Sequence, residues 1–334
     1  MTRQGNFSMT KVAAALALAL ACLAALWVSA AAASSASVAS HSTASSAAKI
    51  QRVKHFWTPR RMRDATPLSA TPSPREVARA SRASAIPSGR GRVGTVPPTP
   101  GPSESGTAAG PSPKAQQIVD PTKYPYRTQG KLFFRWKGGT YVCSATVVNT
   151  PSKRVIFSAG HCAVDGGVWS TNVAFVPGYH NGVRPYGTFV ATKLYSPNAW
   201  INNENFSYDM SAAVLGGTQR VANAVGSRGI RWNLARQQTF VSYGYPAGSP
   251  FDGEKLWSCP SPFRGLDWFS DSPRTQWITC SMTGGSSGGG WIIQNAYLNS
   301  VNSYGYDGEP NRMYGPYFGT AAANLYNTVK NQAP

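Results

Sequence analysis

Hydrophobic positions fall in three zones along the chain. Val12 to Val28 is an unbroken apolar run rich in Ala and Leu, preceded by Arg3 and Lys11 and followed by small residues from Ser29 to Ala33. A charged start, an apolar middle and an A-x-A tail predict a secretory signal peptide over residues 1–33. The competing readings are an uncleaved anchor, since the run approaches spanning length, and a lipoprotein at Cys22, which Ala19 disfavours. Residues 34–120 then lose hydrophobic periodicity. They are rich in Ala, Ser, Pro, Thr and Arg, which predicts a disordered propeptide or linker. From Tyr124 the pattern changes again, to short apolar runs separated by Gly/Pro turns. Lys131–Trp136, Thr140–Val148, Arg154–Ser158, Val173–Val176, Gly187–Leu194, Met210–Leu215, Gln238–Tyr243 and Gln276–Ser281 read as strands. Many short strands with such turns predict an all-β barrel or sandwich. Ala321 to Lys330 reads as a single closing helix, with Ala322, Leu325 and Val329 on one face.

Charge and cysteines narrow the picture. The formal net charge is +19, with +10 in residues 1–120 and +9 in 121–334. The basic residues of the second part are scattered, and no nucleic-acid signature accompanies them. A solvated basic surface suited to an anionic cell envelope follows, not a nucleic-acid interface. Four cysteines outside the leader (Cys143, Cys162, Cys259, Cys280) suggest two disulfides in an exported domain, with three connectivities open. They lack the C-x-x-C pairs of a zinc site. Within the polar second zone one island stands out, Lys54-His55-Phe56-Trp57-Thr58-Pro59-Arg60-Arg61-Met62-Arg63. It joins aromatics to a basic cluster and could dock on a surface. It resembles the F-W-T-P-x-R-M element found ahead of the catalytic domain in secreted actinobacterial serine proteases.

Three motifs carry chemistry. Thr283-Gly284-Gly285-Ser286-Ser287-Gly288-Gly289-Gly290 is a Gly-rich loop between the apolar pairs Trp277-Ile278 and Trp291-Ile292. Its bland reading is a Gly/Ser linker. Its functional reading is a serine nucleophile, which needs a neighbouring base and N–H groups aimed at a developing oxyanion. Phe157-Ser158-Ala159-Gly160-His161-Cys162 places a histidine at the end of an apolar strand. Asn205-Phe206-Ser207-Tyr208-Asp209-Met210 opens another strand with an aspartate, which would need a donor if buried. His180, in a Gly/Asn turn, reads as a surface residue.

Taken together and in this order, His161, Asp209 and Ser287 resemble the chymotrypsin/trypsin-like serine protease family, with its T/S-A-x-H-C, D-[IMV]-x-[AL]-x-[LV] and G-D-S-G-G-P motifs. The branch resembled is secreted, actinobacterial and glutamyl-endopeptidase-like. The resemblance implies two six-stranded antiparallel β-barrels, at about 121–222 and 223–320, and a C-terminal helix at about 321–331. It implies His161 as base, Asp209 as its support, Ser287 as nucleophile, and the N–H groups of Gly285 and Ser287 as the oxyanion hole. It pairs Cys143 with Cys162, which leaves Cys259 with Cys280. Ser286 is the nearest competitor as nucleophile, and two glycines following Ser287 favour the latter. Ser286 also stands where trypsin-type zymogens carry an aspartate, so the nucleophile loop must be ordered in another way. Ser281 would form the base of the specificity pocket, and Ser303, Tyr304, Gly305 and Gly315 its walls. Asn302 stands where many glutamyl endopeptidases have histidine. A large apolar or aromatic P1 side chain fits best, with Asp307 and Glu309 near the rim as an alternative pull towards basic residues.

The function implied is a secreted serine endopeptidase, made as a precursor and acting on protein or peptide substrates as a monomer. No metal or organic cofactor, no nucleic acid and no lasting membrane anchor is implied, and the chain's own propeptide is its expected partner. The alternative is a non-catalytic envelope- or protein-binding module on a protease fold.

Overall fold

The computed structural model describes Met1 and residues 37–72, 91–100 and 114–334. The proposed signal peptide, Met1 aside, lies outside them, as does Arg90. Among the described residues no helix is long and apolar enough to cross a membrane.

The polar second zone departs from the expected disorder. Residues 38–72 form β1 (Val38–Ser42), α1 (Ala47–Phe56), α2 (Pro59–Arg63) and β2 (Thr66–Pro67), and β3 (Gly94–Val96) follows. Both helices begin at side-chain caps: Ser46 accepts from the Lys49 N–H, and Thr58 from the Arg61 N–H ahead of Pro59. The low average hydropathy hides a sparse apolar set, Ile50, Val53, Trp57, Met62 and Ala65, all buried in the core cluster that includes the first barrel. The Trp57 indole donates to the Asn172 carbonyl at 2.6 Å and lies on Phe133. Burying such a side chain contributes about 2–3 kcal/mol. β1 adds to a sheet edge through main-chain bonds, which need no apolar composition.

Beyond a short β4 (Gln116–Gln117), the first barrel uses β5 (Gln129–Trp136), β6 (Gly139–Val148), β7 (Val155–Ser158), β10 (Thr171–Pro177), β11 (Phe189–Pro197) and β12 (Ser211–Leu215). The order β11-β10-β5-β6-β7-β12 closes through β11–β12 pairing, and β1 pairs antiparallel with β11. Consecutive strand residues point to opposite faces, yet Phe133 and Phe134 are both fully buried, so β5 is covered on both sides. Between β7 and β10 lie helix α3 (Gly160–Ala163) and a small hairpin of β8 (Val164–Asp165) and β9 (Val168–Trp169). After β11 come α4 (Asn198–Asn203), and after β12 α5 (Val221–Val225).

The second half follows with β13 (Gly229–Trp232), β14 (Thr239–Gly244), β15 (Trp257–Pro262), β16 (Gly265–Leu266), β17 (Gln276–Thr279), β18 (Gly290–Ile293), β19 (Tyr297–Val301) and β20 (Arg312–Gly315). Its six main strands form two hydrogen-bonded groups, β19-β18-β14-β15 and β17-β20. The Cys259–Cys280 disulfide and the Thr279 N–H to Ser261 Oγ bond join them. β13 pairs in parallel with β19 and carries β3 on its outer edge. Helix α6 (Thr320–Val329) buries Ala322, Leu325 and Val329, the face its sequence predicts. Two buried cations tie the halves together. Lys131 pairs with Glu254 at 3.4 Å, which also accepts from the Tyr179 hydroxyl. Arg228 donates to Thr128 Oγ1 and to the Asn295 carbonyl.

Candidate active site

His161 sits in α3, directly after β7. The Cys143–Cys162 disulfide ties that turn to β6, with a Cα–Cα distance of 6.3 Å. Asp209 closes a one-turn helix whose start is fixed by Asn205 accepting from the Ser207 N–H. The aspartate is fully buried and saturated with donors. Its Oδ1 accepts the His161 backbone N–H at 2.8 Å, and its Oδ2 lies 2.8 Å from His161 Nδ1 and accepts the Ser303 hydroxyl. Burial alone would push the imidazole pKa down. The Asp209 charge and hydrogen bond, with a smaller contribution from Asp165, hold it above its ordinary value of 6.5. His161 Nε2 is buried and has no hydrogen-bond partner, so it is free to accept a proton.

The serine loop comes from the other half and packs against Ser158 and Ala159. Gly288 has φ +80°, and a Cβ there would fall 2.0 Å from Ser158 Oγ and 2.8 Å from the Ala159 nitrogen, so only glycine fits. Gly285, at φ +91°, turns its N–H into the cleft. Among the described residues, no acidic side chain bonds this loop; serine and asparagine side chains hold it instead. Ser144 of β6 holds it from the first barrel, its N–H donating to the Ser287 carbonyl at 2.7 Å and its hydroxyl to the Gly285 carbonyl at 2.9 Å. Asn302 holds it from β19's end. Its Nδ2 donates to the carbonyls of Ser286 and Tyr243, while its Oδ1 accepts from Ser242 Oγ and Trp291 Nε1. Every polar atom of this buried amide is thereby used, which leaves none for a substrate carboxylate. Ser286 is also engaged, its hydroxyl donating to the Thr283 carbonyl at 2.7 Å.

Asn302→Asp keeps the two acceptor bonds and turns a carboxylate oxygen against the two carbonyls. A displaced reacting group costs roughly 100-fold, so a loss of that order in kcat is expected from steady-state assays. An unchanged kcat would mean that Ser144 suffices to hold the loop.

A cavity of about 310 Å³ opens beside Ser287, walled by Met282, Ser303, Tyr304, Gly305 and Met313. Of the residues the resemblance assigns to the pocket, Ser303, Tyr304 and Gly305 line this cavity. Ser281 and Gly315 do not line it. Ser281 Oγ accepts the Ala115 N–H, because the chain before β4 runs over that side, and Gly315 packs under Val301 and Trp291 in β20. Asp307 and Glu309 do line the rim, but Glu309 pairs with Arg312 at 2.7 Å and accepts from the Tyr314 hydroxyl. Sequence reasoning missed Asp267, a buried carboxylate that accepts the hydroxyls of Tyr304 and Tyr306. It fixes an aromatic wall in which Tyr304 packs on Phe206 at 4.6 Å and stacks on Tyr314 at 5.0 Å. Burial, then the Asp267 charge, holds the Tyr304 phenol well above its usual range, so this wall stays uncharged.

The cleft is occupied by the chain itself. The Leu68 carbonyl accepts the Gly285 N–H at 2.9 Å and the Ser287 hydroxyl at 3.3 Å. This contact spans residues far apart in the chain and has no local signature.

No family model matches the chain, and no curated protein matches it. Solved structures do. The protease Anisep from Arthrobacter nicotinovorans is 42% identical, with a TM-score of 0.60 over 65% of this chain and 100% of its own. The thermostable serine protease AL20 from an extremophilic microorganism is 39% identical, with a TM-score of 0.59 over 62% of this chain and 98% of its own. A Glu endopeptidase at 22% identity and a TM-score of 0.55 shares the fold, covering 65% of this chain and 97% of its own. With its closed antiparallel barrel, its second six-strand half and these relatives, the chain belongs to the chymotrypsin/trypsin-like serine protease family.

Proposed function

We propose that the protein is an exported serine endopeptidase that cleaves peptide bonds through an acyl-enzyme. The observation that carries this is the buried Asp209–His161 pair, 2.8 Å apart, with a partnerless Nε2, on a turn whose Ala159 packs against Gly288 of the serine loop. In the working state the Ser287 hydroxyl leaves the Leu68 carbonyl and bonds His161 Nε2. Ser287 Oγ then attacks the scissile carbonyl while Nε2 takes its proton. The oxyanion is held by the Gly285 and Ser287 N–H groups, and the imidazolium by Asp209. Nε2 next protonates the leaving amine, and water repeats the cycle on the ester. Two disulfides suit an oxidising compartment outside the cytoplasm. The aromatic wall and the methionines of the cavity favour a large apolar or aromatic side chain ahead of the cleaved bond. The chain needs no metal or organic cofactor for this cycle.

The test is intact mass of the processed protein before and after a fluorophosphonate. A single adduct, absent in Ser287→Ala, is expected. A folded, processed protein that takes no adduct would favour the non-catalytic binding module instead.

The charge around His161 gives a second check. The acid limb of kcat/KM reports loss of the neutral imidazole, so it falls as pH drops through a pKa held above 6.5. Asp165→Asn removes one of the charges that raise it. The limb then moves to lower pH in a pH–rate profile, with the plateau rate kept. An unmoved limb would exclude Asp165 from the site's electrostatics.

A further inference from the structure

The segment 37–72 does more than precede the protease fold. Three contacts hold it there. β1 runs antiparallel along β11 from Val38 beside Pro197 to Ser42 beside Lys193. Trp57 is 1% exposed against the first barrel, and the Arg61 and Arg135 guanidinium groups lie 4.5 and 5.5 Å from the Phe56 ring centre. The chain then enters the cleft as β2, and its Leu68 carbonyl takes the Gly285 N–H.

The direction of entry decides what this contact does. Thr66 and Pro67 pair in parallel with Tyr141 and Val142 of β6, and the Leu68 N–H donates to the Val142 carbonyl at 3.1 Å. Ser69 then passes Gly284, where a Cβ would meet its Oγ at 2.2 Å, and Ala70 bridges in parallel to Tyr304. Ser69, Ala70 and Thr71 line the cavity beside Ser287. In a substrate, the residue that supplies the attacked carbonyl fills the specificity pocket, with the residues N-terminal to it following on that side. Here the residues on the pocket side are C-terminal to the carbonyl in the oxyanion site. The Ser287 hydroxyl is bonded to that carbonyl's oxygen, and His161 Nε2 is left without a partner. Neither half of the attack is set up.

We infer that residues 37–72 are an inhibitor in cis, anchored on the first barrel by Trp57 and β1 and seated backwards in the active cleft so that it blocks without being cut. This rests on the protease reading above. It makes activation a matter of losing this segment, not of building a new N-terminal ion pair.

The test uses the secreted chain that still carries residues 37–72, identified by intact mass, beside the processed form. The rate of fluorophosphonate labelling is expected to be at least tenfold lower in the precursor. It should rise at least tenfold in precursor Trp57→Ala and in precursor Leu68→Pro, which deletes the N–H given to Val142. A synthetic peptide of residues 37–72 added to the processed form should slow labelling again. Equal labelling of precursor and processed form overturns the proposal, as does a mass cut between Leu68 and Ser69. Should neither form label, the protease reading fails, and hydrogen exchange on the Ser287→Ala precursor then decides the seating alone. Protection of peptides covering 66–71 and 284–287, lost in Leu68→Pro, upholds it, and their rapid exchange overturns it.

Discussion

Ser287→Ala is expected to lower kcat by about 10⁶-fold while leaving the fold intact. The size follows from what the hydroxyl does: without it no ester forms, and only binding and the oxyanion site remain to act on a water. The small structural cost follows from its contacts. Ser287 Oγ makes one hydrogen bond, to the Leu68 carbonyl, and that carbonyl keeps the Gly285 N–H. Loss of that one bond should cost the chain that still carries Leu68 no more than about 1 kcal/mol, read as a small change in its Tm. Adding His161→Ala to Ser287→Ala should cost almost nothing further, because a base has no task once its nucleophile is gone. The measurement is single-turnover hydrolysis of a chromogenic peptide by the processed protein. Ser286→Ala is the control. Its hydroxyl donates into its own loop, to the Thr283 carbonyl, so its loss should lower the rate far less. Activity that survives in Ser287→Ala and vanishes in Ser286→Ala would move the nucleophile by one residue.

The candidate site residues stand out in the sequence because each lies in a short stretch that carries its own local signals. Phe157-Ser158-Ala159-Gly160-His161-Cys162 contains the strand end, the turn and the disulfide that position the imidazole. The first barrel was legible for a similar reason, since β5 and β6 are long runs around Lys137-Gly138-Gly139. β15 escaped detection because Pro260 and Pro262 interrupt its pattern. It tolerates them near a sheet edge, where its outer neighbour is only the two-residue β4. What holds the serine loop and the buried aspartate has no signature in the sequence. Ser144 reaches Gly285 across 141 positions and Ser303 reaches Asp209 across 94. Serines of this kind carry no mark until the two halves close on each other. The order of segment 37–72 is hidden for a third reason. Its composition is that of a disordered tail, but a few apolar residues and a strand edge suffice when the barrel supplies the other surface.

Asp209→Asn should be the most damaging change that keeps the shape of the site, with kcat down about 10⁴-fold and KM little altered. The carboxylate accepts three donors: the His161 backbone N–H at Oδ1, and His161 Nδ1–H and the Ser303 hydroxyl at Oδ2. An amide has one acceptor oxygen and one NH₂ to put in those two places. With the oxygen at Oδ1, the NH₂ donates to Nδ1 and drives the ring proton to Nε2, which can then no longer take the Ser287 proton. With the oxygen at Oδ2, the NH₂ faces the His161 backbone N–H, two donors with nothing between them. The first arrangement avoids that buried clash and is the one expected, so the loss should lie in kcat. ¹⁵N chemical shifts of the imidazole would show the proton moved from Nδ1 to Nε2, a signature that simple loosening of the loop would not produce. Removing the negative charge also lowers the His161 pKa, so the acid limb of the residual activity should shift to lower pH than in the parent. A variant that keeps kcat within tenfold, with the ring proton still on Nδ1, would mean that another group orients His161 and that the buried pair is structural.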